Sequence, residues 1–202
     1  LCAVAGQFTR EIIFIPLGNL KEKFPYDIET GGFDISTMSR LFIGTMLPED
    51  IDRVLYLDCD TVVLGSLKRL WNLDLQGKIM GAVLEPTIYN SLKPALGLRE
   101  NDPYFNAGVL LIDLKNWRKK HIEAQILSFY QKLGGQTFGC DQDLLNGTLK
   151  GKIRVLSPRY NFFTNYRYFR YSALVKHSPS YAVVPKKAFI QAKKHPLILH
   201  FA

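Results

Sequence analysis

The chain has 202 residues, of which 47% are hydrophobic and 22% are charged, and it carries a formal net charge of +8. That length is enough for one globular domain with a sizeable core, and every run of eighteen residues contains a charged side chain, which argues against a membrane-spanning helix. The positive charge suits nucleic acid, an anionic membrane surface or a phosphorylated small molecule, and charge alone excludes none of them.

The distribution of basic residues and cysteines indicates which partners and which cellular compartment to expect. Basic side chains concentrate after position 150, with aromatic residues interleaved over residues 160–171. Such a surface can bind single-stranded nucleic acid by stacking, but half-buried aromatics beside solvated lysines are the commoner arrangement, so no nucleic-acid partner is expected. The three cysteines, Cys2, Cys59 and Cys140, show no Cys-x-x-Cys spacing, which favours a reduced, cytoplasmic compartment.

Helical and strand-like patterns alternate from the start of the chain. Residues 1–17 have the pattern of a helix end followed by a strand over residues 11–17, an unusual start for a domain that suggests a missing N-terminal piece. Residues 34–47 begin with capping-type residues and place apolar side chains at helical spacing, which predicts an amphipathic helix ended by Pro48. Residues 53–57 are apolar and β-branched with acidic residues directly after them, as in a buried parallel strand whose carboxyl end opens onto a site.

The alternation continues through the rest of the chain. Further strand-like runs lie at residues 79–84, 107–112, 153–156 and 196–201. Residues 115–133 have the pattern of a long amphipathic helix that Gly134 and Gly135 end, and a shorter helix is expected to begin near Asp141. Strands separated by helices predict one α/β domain over residues 1–202, a three-layer α/β/α sandwich around a mixed, mainly parallel sheet, with ligands at the carboxyl ends of the strands.

The sharpest local feature is a pair of carboxylates, Asp58 and Asp60, directly after the strand at residues 53–57. Hard divalent cations take oxygen ligands and commonly use one or two carboxylates together with substrate phosphates. A solvated turn explains an isolated Asp-x-Asp, but its position after a buried strand favours a metal site. His200 follows an apolar strand and can supply a nitrogen ligand to the same cation, although a lone histidine there is more often structural.

A second polar segment, from Asn106 to Gly108, leads into the strand at residues 107–112. Asn106 can hydrogen-bond a ligand hydroxyl, and the small residues Ala107 and Gly108 let the backbone approach a ligand closely. An ordinary turn into a strand explains the same residues.

A third polar segment contains Asp141, Gln142 and Asp143 at the expected start of a helix. A carboxylate there can cap the free N–H groups of the first turn. Capping explains one aspartate, but it does not account for Gln142 and a second carboxylate beside it.

Together and in this order, the motifs resemble glycosyltransferase family eight, the group that includes glycogenin and bacterial lipopolysaccharide and lipooligosaccharide galactosyl- and glucosyltransferases. The likeness extends from about residue 11 to the last residue. Its most specific pieces are Arg40 within a Thr-Met-Ser-Arg-Leu segment and residues 55–60, 105–109, 141–146, 160–162 and 199–201.

The resemblance implies a GT-A fold, a UDP-glucose or UDP-galactose donor, and manganese(II), with magnesium as the alternative, held by Asp58, Asp60 and His200. It implies retention at the anomeric carbon, either through a covalent sugar on Asp141 or Asp143 or through a front-face displacement assisted by Gln142. The acceptor is expected to be a glycan of a lipopolysaccharide, glycolipid or glycoprotein, with peripheral contact to the anionic inner face of a membrane. Donor-binding residues implied by the resemblance are Arg40, Asp58, Cys59, Asp60, Asn106, Ala107, Gly108, Asp141 and Gln142.

Two departures from the family pattern concern the ends of the chain. The family begins with a strand and an Ala-x-x-Asp/Asn-x-x-Tyr-like segment that grips the uridine, and it continues past the final histidine with a Gly-x-x-Lys-Pro-Trp-like stretch. Neither is present in the 202 residues. We therefore expect the chain to be a part of a longer protein rather than a degenerate member.

Two rival functions come from the same residues. Residues 58–62 also satisfy the Asp-x-Asp-x-Thr/Val nucleophile motif of aspartyl-phosphate (haloacid dehalogenase-like) phosphatases. That motif normally stands near the start of its domain, and those enzymes need an acidic pair with a spacing different from that of residues 141–143. The non-enzymatic rival is a carbohydrate- or nucleic-acid-binding module built on the basic and aromatic C-terminal third.

Overall fold

The structure, a computed structural model, describes residues 2–9, 11–30 and 32–201. Within these residues, the main sheet contains strands β1 (Arg53–Leu57), β3 (Met80–Leu84), β4 (Phe105–Asp113) and β5 (Ile153–Val155). A smaller sheet contains β2 (Thr61–Val63), β6 (Phe162–Phe163) and β7 (Ile198–His200). The strand orders are β1-β4-β3-β5 and β2-β7-β6.

The helices surround these sheets. They are α1 (Cys2–Gln7), α2 (Ile43–Met46), α3 (Lys68–Trp71), α4 (Leu114–Lys119), α5 (Ile122–Lys132), α6 (Cys140–Thr148), α7 (Tyr171–His177) and α8 (Lys186–Lys194). Short 3₁₀ helices lie at Leu20–Lys23, Ile35–Phe42, Asn90–Leu96, Pro158–Tyr160, Thr164–Tyr168 and Pro179–Val183. In the part of the chain that the structure describes, no helix has both the length and the apolar content needed to cross a bilayer.

The sheet is mixed, as predicted, but the pairing of β1 differs from the prediction. β4 runs antiparallel to both β1 and β3, while β3 and β5 are parallel. Three strands therefore share one direction, yet most pairings are antiparallel because β4 is inserted between β1 and β3. β1 is not a buried parallel strand: all five of its side chains are half-buried, and its described pairing is antiparallel. The carboxyl end of β1 thus lies beside the amino end of β4.

β4 forms the centre of the core because its side chains alternate between the two faces of the sheet. Leu110 and Ile112 pack in the larger cluster with buried residues of α4, α5 and α6. Val109 and Leu111 pack in a smaller cluster with Leu70 of α3 and Ile198 of β7. Both faces of the sheet are therefore covered, and the end of β4 is held rigidly next to β1.

Two predicted helices have a different local form. Residues 35–46 are helical, and Asp34 caps them by accepting the Ser36 N–H at 2.8 Å, but the first part is a 3₁₀ helix before α2 begins. The single helix predicted over residues 115–133 is two helices, because His121 adopts a left-handed backbone with φ of 50° between α4 and α5.

The strand predicted over residues 11–17 is wrong. The described residues there form neither helix nor strand, and the side chains of Ile13 and Phe14 are 73% and 67% exposed. A strand needs a partner for its backbone N–H and C=O groups, and no described strand pairs with this segment. The strands predicted at residues 79–84, 107–112, 153–156 and 196–201 and the helix near Asp141 are confirmed as β3, β4, β5, β7 and α6.

Candidate active site

Three potential metal ligands converge where the two sheets meet. Asp58 and Asp60 follow β1 in a turn closed by Thr61, whose N–H and hydroxyl donate to the carbonyl oxygen of Asp58 at 3.2 and 2.7 Å. The antiparallel pairing of β2 with β7 then places Thr61 opposite His200. His200 Nε2 lies 3.2 Å from Asp60 Oδ1 and 3.9 Å from Asp58 Oδ2. One ligand atom from each of the three residues lies within 4.8 Å of the others.

The chemistry of this donor set suits a hard or borderline divalent cation. Two carboxylate oxygens and one imidazole nitrogen match the ligands that manganese takes, and magnesium accepts the oxygens. Asp58 is 21% and Asp60 43% exposed, so the solvent side is open to further ligands such as phosphate oxygens. Gly108 leaves room for this set, because a Cβ there would lie 2.8 Å from His200 Nδ1 and 2.9 Å from Asp58 Oδ2.

Arg40 lies between two carboxylates of the site. Its Nη2 is 2.8 Å from Asp58 Oδ1 and its Nε is 3.1 Å from Asp141 Oδ2, while its Nη1 donates to the Ala107 carbonyl at 2.8 Å. The guanidinium also stacks 4.5 Å from the ring centroid of Tyr56, whose hydroxyl donates to Asp58 Oδ1 at 2.7 Å. Burial disfavours the charge of Arg40, but the nearby carboxylates outweigh it, and the pKa of Arg40 is raised. Arg40 therefore orients both aspartates.

Asp141 offers a buried acceptor that the protein leaves open. The residue is 6% exposed, and burial raises its pKa to about 6 even though Arg40 acts in the opposite direction. Oδ2 has the charge of Arg40 beside it but accepts no hydrogen bond, because Arg40 Nε donates to the Thr37 carbonyl instead. Cys140, directly before it, has a left-handed φ of 51°, an uncommon conformation for a residue other than glycine. A hydroxyl donor from a ligand would satisfy Oδ2.

Gln142 is half-buried and is held by the amino end of β4. Its Oε1 accepts from Asn106 Nδ2 at 3.0 Å and from the Ala107 N–H at 2.9 Å. Asn106 Nδ2 also lies 3.4 Å from Glu85 Oε2, and Asn106 Oδ1 accepts the Gly108 N–H at 2.8 Å. The amide of Asn106 is therefore engaged inside the protein, whereas the sequence suggested that it binds a ligand hydroxyl. Ala107 likewise contributes its backbone and is itself buried.

Asp143 and Cys59 are placed differently from the other predicted site residues. Asp143 is 2% exposed, and its two oxygens accept from the Tyr104 hydroxyl and from the Gly139 N–H at 2.6 Å. It is the aspartate that caps α6, and its engaged oxygens argue against the predicted catalytic role. Cys59 is exposed between Asp58 and Asp60 and makes no side-chain hydrogen bond within the described residues.

Glu85 belongs to the site although the sequence analysis did not single it out. It directly follows β3, at the same edge of the sheet as Asp58. Its Oε1 accepts from the Tyr166 hydroxyl at 2.7 Å and from the Thr87 N–H at 3.1 Å, and its Oε2 contacts Asn106. An acidic residue directly after a buried strand was the signal that identified Asp58, and the same signal could have identified Glu85.

The mixed sheet with an Asp-x-Asp pair at a strand end fits the GT-A type of glycosyltransferase fold that the sequence resemblance implies, and a solved structure supports this class. The crystal structure of galactosyltransferase LgtC in complex with donor and acceptor sugar analogs superimposes with a TM-score of 0.70 and 29% identity, over 90% of this chain and 63% of that one. A model of the family described as Glycosyl transferase family 8 matches residues 27–202. The chain belongs to this family.

Relatives of known sequence agree with that assignment. General stress protein A of Bacillus subtilis is 32% identical over 181 residues, which cover 88% of this chain and 60% of the relative. Lipopolysaccharide 1,3-galactosyltransferase of Salmonella typhimurium is 29% identical over 174 residues, which cover 81% and 50%. The chain thus spans between half and two thirds of the length of these proteins. The family assignment gives no support to the phosphatase alternative.

Proposed function

We propose that this chain is part of the catalytic domain of a retaining hexosyltransferase, which transfers glucose or galactose from a UDP-sugar to a hydroxyl group of a glycan acceptor. The observation that carries the proposal is the convergence of Asp58, Asp60 and His200 beside the buried pair of Arg40 and Asp141. Membership of the family and the similarity to galactosyltransferases support a hexose donor.

In this proposal Asp58, Asp60 and His200 hold manganese(II), or magnesium(II) in its place. The ion would stabilise the negative charge that develops on the UDP leaving group as the glycosidic bond breaks. Asp60 lies on the exposed side, where the diphosphate can approach, while Arg40 and Tyr56 fix the orientation of Asp58. The carboxylate of Asp58 is therefore held in one orientation, with Oδ2 toward the proposed ion.

Asp141 and Gln142 bind and stabilise the donor sugar. Asp141 Oδ2 accepts a sugar hydroxyl, because it is a buried acceptor without a hydrogen bond of its own. Gln142 Oε1 is anchored to β4, and its Nε2 makes one long contact of 3.4 Å with the Tyr104 hydroxyl among the described residues. Nε2 is thus free to donate a hydrogen bond to the sugar and position it, while the partial negative charge of Oε1 is the part of the side chain that can stabilise an oxocarbenium-like sugar.

We propose a front-face displacement rather than a covalent sugar intermediate. The acceptor oxygen forms a bond to the anomeric carbon while the bond to the UDP oxygen breaks, and the leaving phosphate takes the acceptor's proton. A covalent route needs a free carboxylate. Asp143 has both oxygens engaged, one by the Tyr104 hydroxyl and one by the Gly139 N–H, and Asp141 is 6% exposed and ion-paired with Arg40.

A panel of UDP-sugars tests this function in the full-length protein. UDP release is expected with UDP-glucose or UDP-galactose, to require manganese, to stop with a chelator, and to increase when a glycan acceptor is added. The anomeric configuration of the product, measured by NMR, is expected to match that of the donor. Absence of metal-dependent UDP release across the whole panel, or an inverted product, would contradict the proposal.

We also propose that the enzyme is cytoplasmic and touches the anionic face of a membrane through its basic C-terminal third. Helix α8 exposes Lys186, Lys187 and Lys194, and Ile190 between them is 42% exposed. Each basic residue near an anionic surface contributes about 1 kcal/mol to binding. Such a contact would hold the enzyme at the surface on which lipid-linked acceptors lie.

Co-sedimentation with vesicles tests the membrane contact. Binding to vesicles rich in phosphatidylserine is expected to exceed binding to phosphatidylcholine vesicles and to weaken about 30-fold or more when Lys186 and Lys187 are both changed to Glu. The matched control changes Lys68 and Arg69, two exposed basic neighbours on α3, to Glu. Equal losses in both double variants, or no preference for anionic vesicles, would disprove a specific contact through α8.

A further inference from the structure

A line of buried amide side chains leads from the backbone of β4 to His200. The Gly108 N–H donates to Asn106 Oδ1 at 2.8 Å, and Asn161 Nδ2 donates to the same oxygen at 2.7 Å. Asn161 Oδ1 in turn lies 2.9 Å from His200 Nδ1. Asn161 is 0% and His200 3% exposed, so these groups rely on one another rather than on solvent.

The backbone N–H of Gly108 sets the direction of every hydrogen bond in this line. A backbone N–H can only donate, so the atom of Asn106 that meets it must be the amide oxygen. The same oxygen must receive the amide nitrogen of Asn161, which turns the oxygen of Asn161 toward His200. Nδ1 of His200 must then carry a proton, and the neutral ring keeps its lone pair on Nε2, the atom that faces Asp58 and Asp60.

We propose that Asn161 is a positioning residue, which fixes the tautomer and the ring orientation of His200 so that Nε2 serves as the metal ligand. The inference rests on the proposed function, in which His200 binds the ion. Metal-binding histidines generally donate their second N–H to a protein acceptor, and loss of that acceptor weakens metal binding or activity about 10- to 100-fold. The Phe163 ring, stacked 4.7 Å from the His200 ring at 28°, supports the same orientation.

The same line of amides extends to Gln142 on the sugar side of the site. Asn106 Nδ2 donates to Gln142 Oε1 at 3.0 Å, and the Ala107 N–H, a second donor of fixed direction, meets the same oxygen at 2.9 Å. Asn161 therefore has two separable roles. Its oxygen holds His200, and its nitrogen holds Asn106 and through it Gln142.

Two substitutions separate the roles in the full-length protein. Asn161→Leu removes both contacts, and Asn161→Asp keeps an acceptor for His200 while losing the donor to Asn106. Electron paramagnetic resonance measures the manganese dissociation constant in the presence of UDP, and electron spin echo modulation detects a coordinated nitrogen. The Leu variant is expected to bind manganese about 10- to 100-fold more weakly and to lose the nitrogen signal. The Asp variant is expected to keep wild-type affinity and nitrogen signal but to lose about tenfold in kcat/KM for the UDP-sugar.

Asn165→Leu is the matched control, since Asn165 is exposed four residues further on, and it is expected to change none of these values. Thermal unfolding reports whether each variant folds. If Asn161→Leu does not fold, the manganese affinity and kcat/KM of Asn161→Asp test the inference. Wild-type nitrogen signal in the Leu variant, or manganese binding weakened tenfold in the Asp variant with unchanged kcat/KM, would overturn the inference. A wild-type protein that binds manganese without a nitrogen ligand would overturn the assignment of His200 in the proposed function, and this inference with it.

Discussion

Replacing Asp60 with Asn is expected to lower manganese-dependent UDP release about 100-fold or more while leaving the free energy of unfolding nearly unchanged. Asp60 is 43% exposed, and its charge partner within the described residues is His200, so its removal leaves no buried charge unpaired. Asp58→Asn is expected to cause a loss of activity at least as large. It should also destabilise the fold, because Asp58 is paired with Arg40 at 2.8 Å.

The control for both changes is Asp50→Asn, which removes an exposed carboxylate before β1, at the opposite end of the strand from Asp58. It is expected to retain wild-type activity and stability. UDP release measured against manganese concentration gives the decisive comparison, since a weakened ligand set requires more metal. Wild-type metal dependence in both the Asp58 and Asp60 variants would remove the proposed metal site.

The local part of the site could be predicted from sequence because it depends on neighbours along the chain. Asp58 and Asp60 follow an apolar strand within three residues, and that pattern is visible without a fold. His200 joins them through the pairing of β2 with β7, which links residues far apart in sequence. Its place in the ligand set was therefore expected from the family resemblance rather than from spacing.

Other features could not be predicted because they depend on distant contacts. Asp141 and Asp143 are the same residue type on one helix, and what separates them is the Tyr104 hydroxyl, which reaches Asp143 from the segment before β4. The pairing of β1 was mistaken because the partner inserted beside it, β4, begins about fifty residues later. The helix break at His121 could not be predicted because no glycine or proline lies there.

Removing the charge of Arg40 is expected to have the largest effect on stability. Arg40→Met is expected to lower the free energy of unfolding at neutral pH by about 3–5 kcal/mol, because it leaves the carboxylates of Asp58 and Asp141 without their buried counter-charge. Urea denaturation of the metal-free full-length protein measures the loss. Arg40→Lys is expected to lower the free energy of unfolding by less, since lysine keeps the charge but not the planar geometry. Arg69→Met on α3, an exposed arginine, is expected to be neutral.

The effect of pH distinguishes an unpaired buried charge from simple loss of packing. Burial already raises the pKa of Asp141 to about 6, and Arg40 opposes that rise, so the pKa should rise further in Arg40→Met. A folded state with a raised carboxyl pKa binds the proton more tightly than the unfolded state, whose pKa is about 3.9. The destabilisation caused by the ionised carboxylate of Asp141 is therefore complete above the pKa of the folded state and absent below the pKa of the unfolded state. The unfolded chains of Arg40→Met and wild type bind protons alike at this carboxyl, so the stability gap changes only where their folded states differ in protonation. The gap is expected to narrow as pH falls toward the wild-type folded pKa of about 6 and to stay nearly constant below it.

A second substitution tests the same cause at constant pH. Asp141→Asn in the Arg40→Met background removes one of the two orphaned charges while keeping the shape of the side chain. If electrostatics cause the loss, the double variant regains part of the stability at neutral pH and its pH dependence becomes shallower. A gap that stays constant with pH, together with no recovery in the double variant, would instead assign the loss to the packing of Arg40 against Tyr56, where the guanidinium lies 4.5 Å from the ring centroid.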